Sequence, residues 1–86
     1  MKYRFAKSIG NYGISDESAA YLIENNQSFA VGLSREGNKK IAWVGFDQYG
    51  IRFECIAIVF IDALYIIHLK PIEAKEDIDE VKKRLW

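Results

Sequence analysis

The sequence has only one cysteine and one histidine among its 86 residues, and this scarcity excludes several kinds of site. A single cysteine, Cys55, permits no disulfide within the chain, which suits a reducing compartment. One histidine and one cysteine are too few for a zinc site, and no carboxylates have the spacing of a calcium loop. We therefore expect no metal and no cofactor. The apolar neighbours of Cys55 indicate a packed thiol, not a nucleophile.

Long apolar runs and a surplus of either charge are also missing. The longest apolar stretch, residues 55–67, is interrupted by Asp62 and is too short to span a bilayer. The N-terminal residues lack the apolar core of a signal peptide. These features predict a cytoplasmic protein without membrane contact. Because 12 basic and 12 acidic residues cancel, a nucleic-acid surface would need basic side chains gathered in one place.

The patterns that are present predict a single α+β domain over residues 1–86. "SDESAAYLIENN" predicts a helix, because Ser15 suits the N-cap and apolar residues recur at helical spacing. Four strand-like segments follow, and the short turns between them predict a four-stranded antiparallel meander with this helix packed on it. "EAKEDIDEVKKRLW" predicts a C-terminal helix. The alternation in "KYRFA" leaves a further short strand open.

Apolar periodicity predicts which residues meet in the interior. The third strand of the meander is apolar on both faces beyond Cys55, so we expect it mid-sheet with cover on both sides. The residues expected to share one core are Leu22, Ile23, Ile41, Trp43, Phe53, Cys55, Ala57, Ile67 and Leu69.

The last helix presents only a narrow apolar stripe, formed by Ile78, Val81 and Leu85. We expect this helix to be mobile or completed by another chain, either a second copy in a homodimer or a different protein. Its charged residues have the spacing of two ion pairs along the helix surface, Asp79–Lys83 and Glu80–Arg84.

The stretch "YIIHLKP" at the end of the last strand holds the clearest candidates for chemistry. Strict alternation puts His68 and Lys70 on one face, and Tyr65 and Ile67 on the other. Antiparallel pairing brings Arg52, at the start of the preceding strand, towards the same end. A histidine flanked by two cations fits phosphodiester cleavage, in which the cations stabilise charge while the imidazole moves a proton. The alternative is a half-buried imidazole that only packs.

Three stretches, "YGISDESAAYLI", "KKIAWVGFDQYGIRFECIAI" and "YIIHLKPIEAKE", resemble the BrnT-type toxins of the RelE/ParE superfamily. The similar features are a glycine, an apolar residue and a serine that open a helix, a G-x-D-x-x-G hairpin, and an Ile/Val-rich strand that ends near a basic residue. The resemblance extends from Tyr12 to about Glu76. It implies a RelE-like fold and a bacterial type II toxin. Such toxins are metal-independent endoribonucleases that act on messenger RNA, in some cases while it is bound to the ribosome. A co-encoded antitoxin silences them.

The resemblance also implies roles for individual residues. His68 stands where some relatives have a histidine, and Lys70 stands where they have an arginine. These two, with Arg52 from the strand pairing described above, are the expected catalytic residues. In such a ribonuclease Tyr12 and Tyr49 could stack on unpaired bases, since single-stranded RNA is commonly bound by stacking. The alternative, which we favour, is that both are turn aromatics that cover the edge of the sheet. The basic N-terminal segment supplies the last RNA-binding candidate, Lys7.

Departures from the family pattern favour a different function on the same fold. Many of these toxins have a histidine where this chain has Tyr12, and Gln48 and Glu73 replace basic residues. With a net charge of zero, these differences indicate a non-catalytic module that binds another protein. A small-molecule binding domain is a weaker third hypothesis, because no set of polar residues converges.

Overall fold

The computed structural model of the protein describes residues 2–7 and 15–85. Five strands form one mixed sheet in the order β1-β5-β4-β3-β2, and a helix packs on each of its faces. The expected α+β class is confirmed. The elements in chain order are β1 (Lys2–Phe5), α1 (Asp16–Asn25), β2 (Phe29–Leu33), β3 (Lys39–Phe46), β4 (Arg52–Val59), β5 (Ala63–Pro71) and α2 (Ile78–Leu85).

The sheet has one strand more than the expected four, because β1 adds to its edge in parallel with β5. Tyr3 and Phe5 pack against the core, and the alternating Lys2 and Arg4 therefore project from the other side of the sheet. The Tyr3 hydroxyl donates a hydrogen bond to Glu24 of α1 at 3.0 Å, which ties the edge strand to the helix. The antiparallel meander from β2 to β5 is as expected, with β4 in the middle of the sheet.

Helix α1 begins at the predicted N-cap and covers one side of the sheet, which we call the α1 face. The Ser15 hydroxyl accepts a hydrogen bond from the Ser18 amide at 3.1 Å. Ala19 and Leu22 are fully buried beneath the helix. Burial raises the pKa of Cys55 to about 12, which confirms a packed thiol. The core under α1 consists of Ala19, Leu22, Trp43, Phe53, Cys55, Ala57, Leu64, Ile66 and Leu69, with Ile23 and Ile41 packed against it.

A β-bulge in β5 changes which residues reach that core. Pairing with β4 steps from Ala57 opposite Ile66 to Ile56 opposite His68, so Ile67 is an extra residue without a cross-strand partner. The expectation that Ile67 belongs to the α1 core is wrong for this reason. Leu64, Ile66 and Leu69 supply that core from β5.

The bulge also places Tyr65 and His68 on the same side of the sheet. Their partners on β4 are Ile58 and Ile56, which are two residues apart on a regular strand and so share a face. Strict alternation predicted opposite sides, and the extra residue between them reverses that prediction.

Helix α2 packs on the opposite side of the sheet, which we call the α2 face. Its predicted stripe forms a second, smaller core, in which Val81 is 3% exposed. Neither of the two expected ion pairs along the helix forms. Arg84 binds Glu54 on the sheet and Glu76 in the preceding loop instead of Glu80. Completion of this helix by a homodimer or another protein stays a prediction. The second core contains Val44, Ile72 and Val81, with Phe29, Ile78 and Leu85 packed against them.

No helix within the described part of the chain is long and apolar enough to cross a membrane.

Asn26 lies so close to Gly45 that position 45 has no room for a side chain. A Cβ atom at Gly45 would overlap the side-chain amide of Asn26, which donates a hydrogen bond to the Leu22 carbonyl at 2.9 Å. We expect Gly45→Ala to lower the free energy of unfolding by about 1–3 kcal/mol. In the background of Asn26→Ala the same change should cost clearly less, because the overlapping group is gone.

Urea denaturation of the two single variants and the double variant measures this coupling. Asn25→Ala is the matched control, since Asn25 makes the same kind of bond to the Tyr21 carbonyl, at 2.9 Å. Strict additivity between Gly45→Ala and Asn26→Ala would contradict the prediction.

Candidate active site

A buried carboxylate on the central strand is the centre of the candidate site. Glu54 lies on the α2 face of β4 and is 2% exposed. Nη2 of Arg84, from α2, donates to both carboxylate oxygens at 3.1 Å. From β5, Nε2 of His68 lies 3.7 Å from Oε1, an ion-pair distance that is too long for a hydrogen bond. One side chain from each of α2, β4 and β5 therefore meets at this carboxylate.

The charge state of Glu54 follows from these neighbours. Burial alone would raise the pKa of the carboxyl group, since a low-dielectric site disfavours its charged form. The His68 imidazole and the Arg84 guanidinium outweigh burial and hold the pKa below its ordinary value of 4.5. Glu54 is consequently an anion near neutral pH.

His68 is neither sealed in the core nor flanked by two cations. Its Nε2 atom is buried and has no hydrogen-bond partner among the described residues, while 39% of the side chain is exposed. The nearest charged group to that nitrogen is the Glu54 carboxylate, so the expected local environment of two cations is wrong. Lys70 lies on the same face one step further along β5 and is exposed.

Arg52 is separated from this group and has a structural partner of its own. Its two terminal nitrogens donate to the carbonyls of Glu76 and Glu73, at 2.9 and 2.6 Å. Its own carbonyl accepts from the Ile72 amide at 3.0 Å, which places Arg52 beyond Lys70 and not beside His68. The guanidinium thus closes the loop between β5 and α2.

The three candidate RNA-binding residues do not gather at His68. Tyr49 is 75% exposed in the β3–β4 turn, whose backbone is held by buried Asp47 through the amides of Tyr49 and Ile51 at 2.9 Å. Lys7 is exposed just past the end of edge strand β1. Tyr12 lies outside the described residues.

Glu54 and Arg84 are the two residues of the site that the sequence did not predict. A lone acid inside the apolar stretch "RFECIAIVF" is the signal that could have marked Glu54, because a buried carboxylate needs a partner. Nothing in the spacing of α2 says that Arg84 meets β4, since Glu80 offered a partner within the helix. No three His, Cys, Asp or Glu side chains in the described ranges come together as a metal-binding group.

The lowered pKa of Glu54 predicts a specific acid dependence of stability. A carboxyl group whose pKa is lower in the folded state stabilises the fold above its unfolded value, and this contribution is lost as the pH falls through the folded value. We expect the free energy of unfolding to decrease as the pH falls below about 4.5. Glu54→Gln should lower stability at pH 7 by about 1–3 kcal/mol and make the acid decrease shallower.

Chemical denaturation between pH 3 and pH 7 tests this, with Glu80→Gln as the control. Glu80 is exposed and makes no ion pair among the described residues, so its substitution should leave the curve of the parent unchanged. If the free energy of unfolding of the parent and of Glu54→Gln changed with pH in parallel over the whole range, the lowered pKa assigned to Glu54 would be refuted.

Comparison of the chain with protein-family models, curated proteins and solved structures finds no match. The resemblance to BrnT-type toxins accordingly rests on the three sequence stretches alone, and the toxin function stays a prediction.

Proposed function

We propose that this protein is the toxin of a bacterial type II toxin–antitoxin system, a RelE-like endoribonuclease that needs no metal. The observation that carries the proposal is the pairing of buried Glu54 with half-exposed His68. A carboxylate that orients an imidazole is a recurring arrangement in general acid–base catalysis near neutral pH. The order of helix, antiparallel meander and second helix agrees with what the resemblance implies.

His68 is the proton-transfer group of the proposed reaction. The Glu54 anion favours a proton on the buried Nε2 atom, which leaves Nδ1 to accept the proton of a ribose 2′-OH. The 2′ oxygen then attacks the adjacent phosphorus, and the bond from phosphorus to the 5′ oxygen breaks. The resulting imidazolium returns its proton to that 5′ oxygen, so the products are a cyclic phosphate and a free 5′-OH.

One cation near the imidazole, Lys70, is placed to stabilise the negative charge of the phosphorane. Lys70 is exposed on the same face, opposite Glu54 in the strand pairing. Arg84 is 51% exposed, but its terminal nitrogens already bind Glu54 and Glu76, so it holds the Glu54 carboxylate and leaves the phosphorane to Lys70. A cation such as Lys70, held on a strand beside the reacting group, stabilises charge that develops in a transition state. Arg52 has no part in this mechanism, because both its terminal nitrogens bind carbonyls.

A non-catalytic protein-binding module is the second candidate. Phe46, Tyr49 and Ile51 flank the β3–β4 turn and are 49%, 75% and 50% exposed, which is the kind of apolar surface that partner proteins cover. On this hypothesis the bond between Arg84 and Glu54 only holds α2 on the sheet. An antitoxin or a second copy of the chain would be the partner.

Substitution of His68 and Lys70 tests the ribonuclease. The parent protein should cleave single-stranded RNA in the presence of EDTA, and its expression should arrest growth. His68→Ala is expected to reduce cleavage by about 10²–10⁴-fold, the usual contribution of a general acid or base. Lys70→Ala is expected to reduce it by about 10²-fold through loss of charge stabilisation.

Lys83→Ala is the matched control for Lys70→Ala, because Lys83 is an exposed lysine of α2 without an ion pair among the described residues. Thermal unfolding should show that every variant remains folded. A parent without activity, or a fully active His68→Ala variant, would leave the protein-binding hypothesis in place.

A further inference from the structure

A cavity of about 240 Å³ opens at the end of β5 that is remote from Arg84. It is lined by Arg4 from β1, by Ala63 and Tyr65 from β5, and by Phe60 and Asp62 from the turn before β5. Its volume is below the range of about 300–1,000 Å³ for pockets that hold drug-sized ligands. The cavity is therefore suited to one ring system of a larger molecule.

Register places this cavity beside His68. Tyr65 and His68 share the α2 face because of the bulge, and their β4 partners are Ile58 and Ile56. Two residues along a strand span about 7 Å. A ligand part held at Tyr65 is thus about the length of one nucleotide away from the His68 imidazole.

The lining residues have the chemistry of a base-binding site. Phe60 and Tyr65 are 41% and 36% exposed, and their rings are tilted by 53° with centroids 6.3 Å apart, so they do not stack flat on each other. Arg4 and Asp62 make no ion pair with any described residue. Asp62 offers an acceptor for an exocyclic amino group, and Arg4 offers a cation for a phosphate.

Exposed cations on the same side of the sheet favour a nucleic acid as the ligand of the cavity. The exposed cations Lys2 and Arg4 project from the same side of the sheet as His68 and Lys70, because Tyr3 and Phe5 occupy the α1 face. The buried Glu54 anion on that side is already paired with Arg84. A chain with zero net charge thereby presents several exposed cations on one side of its sheet, where a phosphate backbone can contact them.

We infer that the cavity binds one unpaired base of a single-stranded RNA, next to the phosphate that reacts at His68. The inference rests on the proposed ribonuclease function and names a contact that selects its substrate. Stacking on Tyr65 fixes the base, and the strand then runs past His68 towards Lys70.

Binding of a 2′-O-methyl oligoribonucleotide tests this contact, because such a strand lacks the attacking hydroxyl and is not cleaved. The probe is an unstructured eight-nucleotide strand that carries a single 2-aminopurine, moved through the positions in turn. We expect its emission to be quenched at one position, where the base stacks. Tyr65→Leu should remove that quenching and weaken binding about five- to hundredfold, the usual effect of losing one base–aromatic stack.

Tyr21→Leu is the matched control, since Tyr21 is 41% exposed on α1, on the other side of the sheet, and should bind like the parent. If the parent binds and cleaves RNA but Tyr65→Leu behaves like Tyr21→Leu, the cavity is not the base site and the proposed function stands. If the parent neither binds nor cleaves RNA, both proposals fall. Protection of Phe60 and Tyr65 by the co-encoded antitoxin, without any RNA binding, would assign the cavity to a protein and overturn the inference.

Discussion

The burial of the Glu54 carboxylate in the central strand is the constraint on which the arrangement of the α2 face depends. A charge taken out of water costs several kcal/mol unless partners compensate it, and here the partners come from two other elements. Helix α2 packs over β3, and Arg84 can reach the carboxylate only if the C-terminal turn of the helix points towards β4. This contact fixes the orientation of the helix. His68 can face it only in the register that follows the bulge. One anion therefore links the docking of a helix, the pairing of two strands and the candidate site.

The bulge reconciles this polar arrangement with the apolar core on the other side of the sheet. Leu64 and Ile66 are two residues apart, whereas Ile66 and Leu69 are three apart, yet all three are buried under α1. A regular strand cannot satisfy that spacing, because its side chains alternate strictly. One extra residue, Ile67, satisfies it, and the same extra residue brings Tyr65 round to the side of His68. The burial of apolar side chains on the α1 face thus determines which side chains of β5 lie on the α2 face.

Local patterns predicted most of the fold, and long-range contacts explain what they missed. The N-cap at Ser15, the meander and the central place of β4 follow from short stretches of sequence and are confirmed. The partner of β1 lies some 60 residues along the chain, and its four residues alone do not distinguish a strand from a coil. The site was predicted less well for the same reason.

The strand pattern of the sequence indicated His68 and Lys70. Glu54 and Arg84, however, are 30 residues apart and meet only once α2 has folded back. Arg52 was misassigned because the loop carbonyls that bind it left no mark in the sequence.

Because Cys55 is buried, the reaction of its thiol with a reagent reports how often the core opens. The thiol is fully buried in the central strand, and its high pKa leaves almost no thiolate at neutral pH. An alkylating reagent can modify it only after α1 leaves the sheet or neighbouring strands separate. Loops and chain ends open far more often than a central strand, so their motions do not contribute to this reaction. The rate at which the native protein is alkylated therefore measures how often the core between α1 and the sheet opens, without any added label.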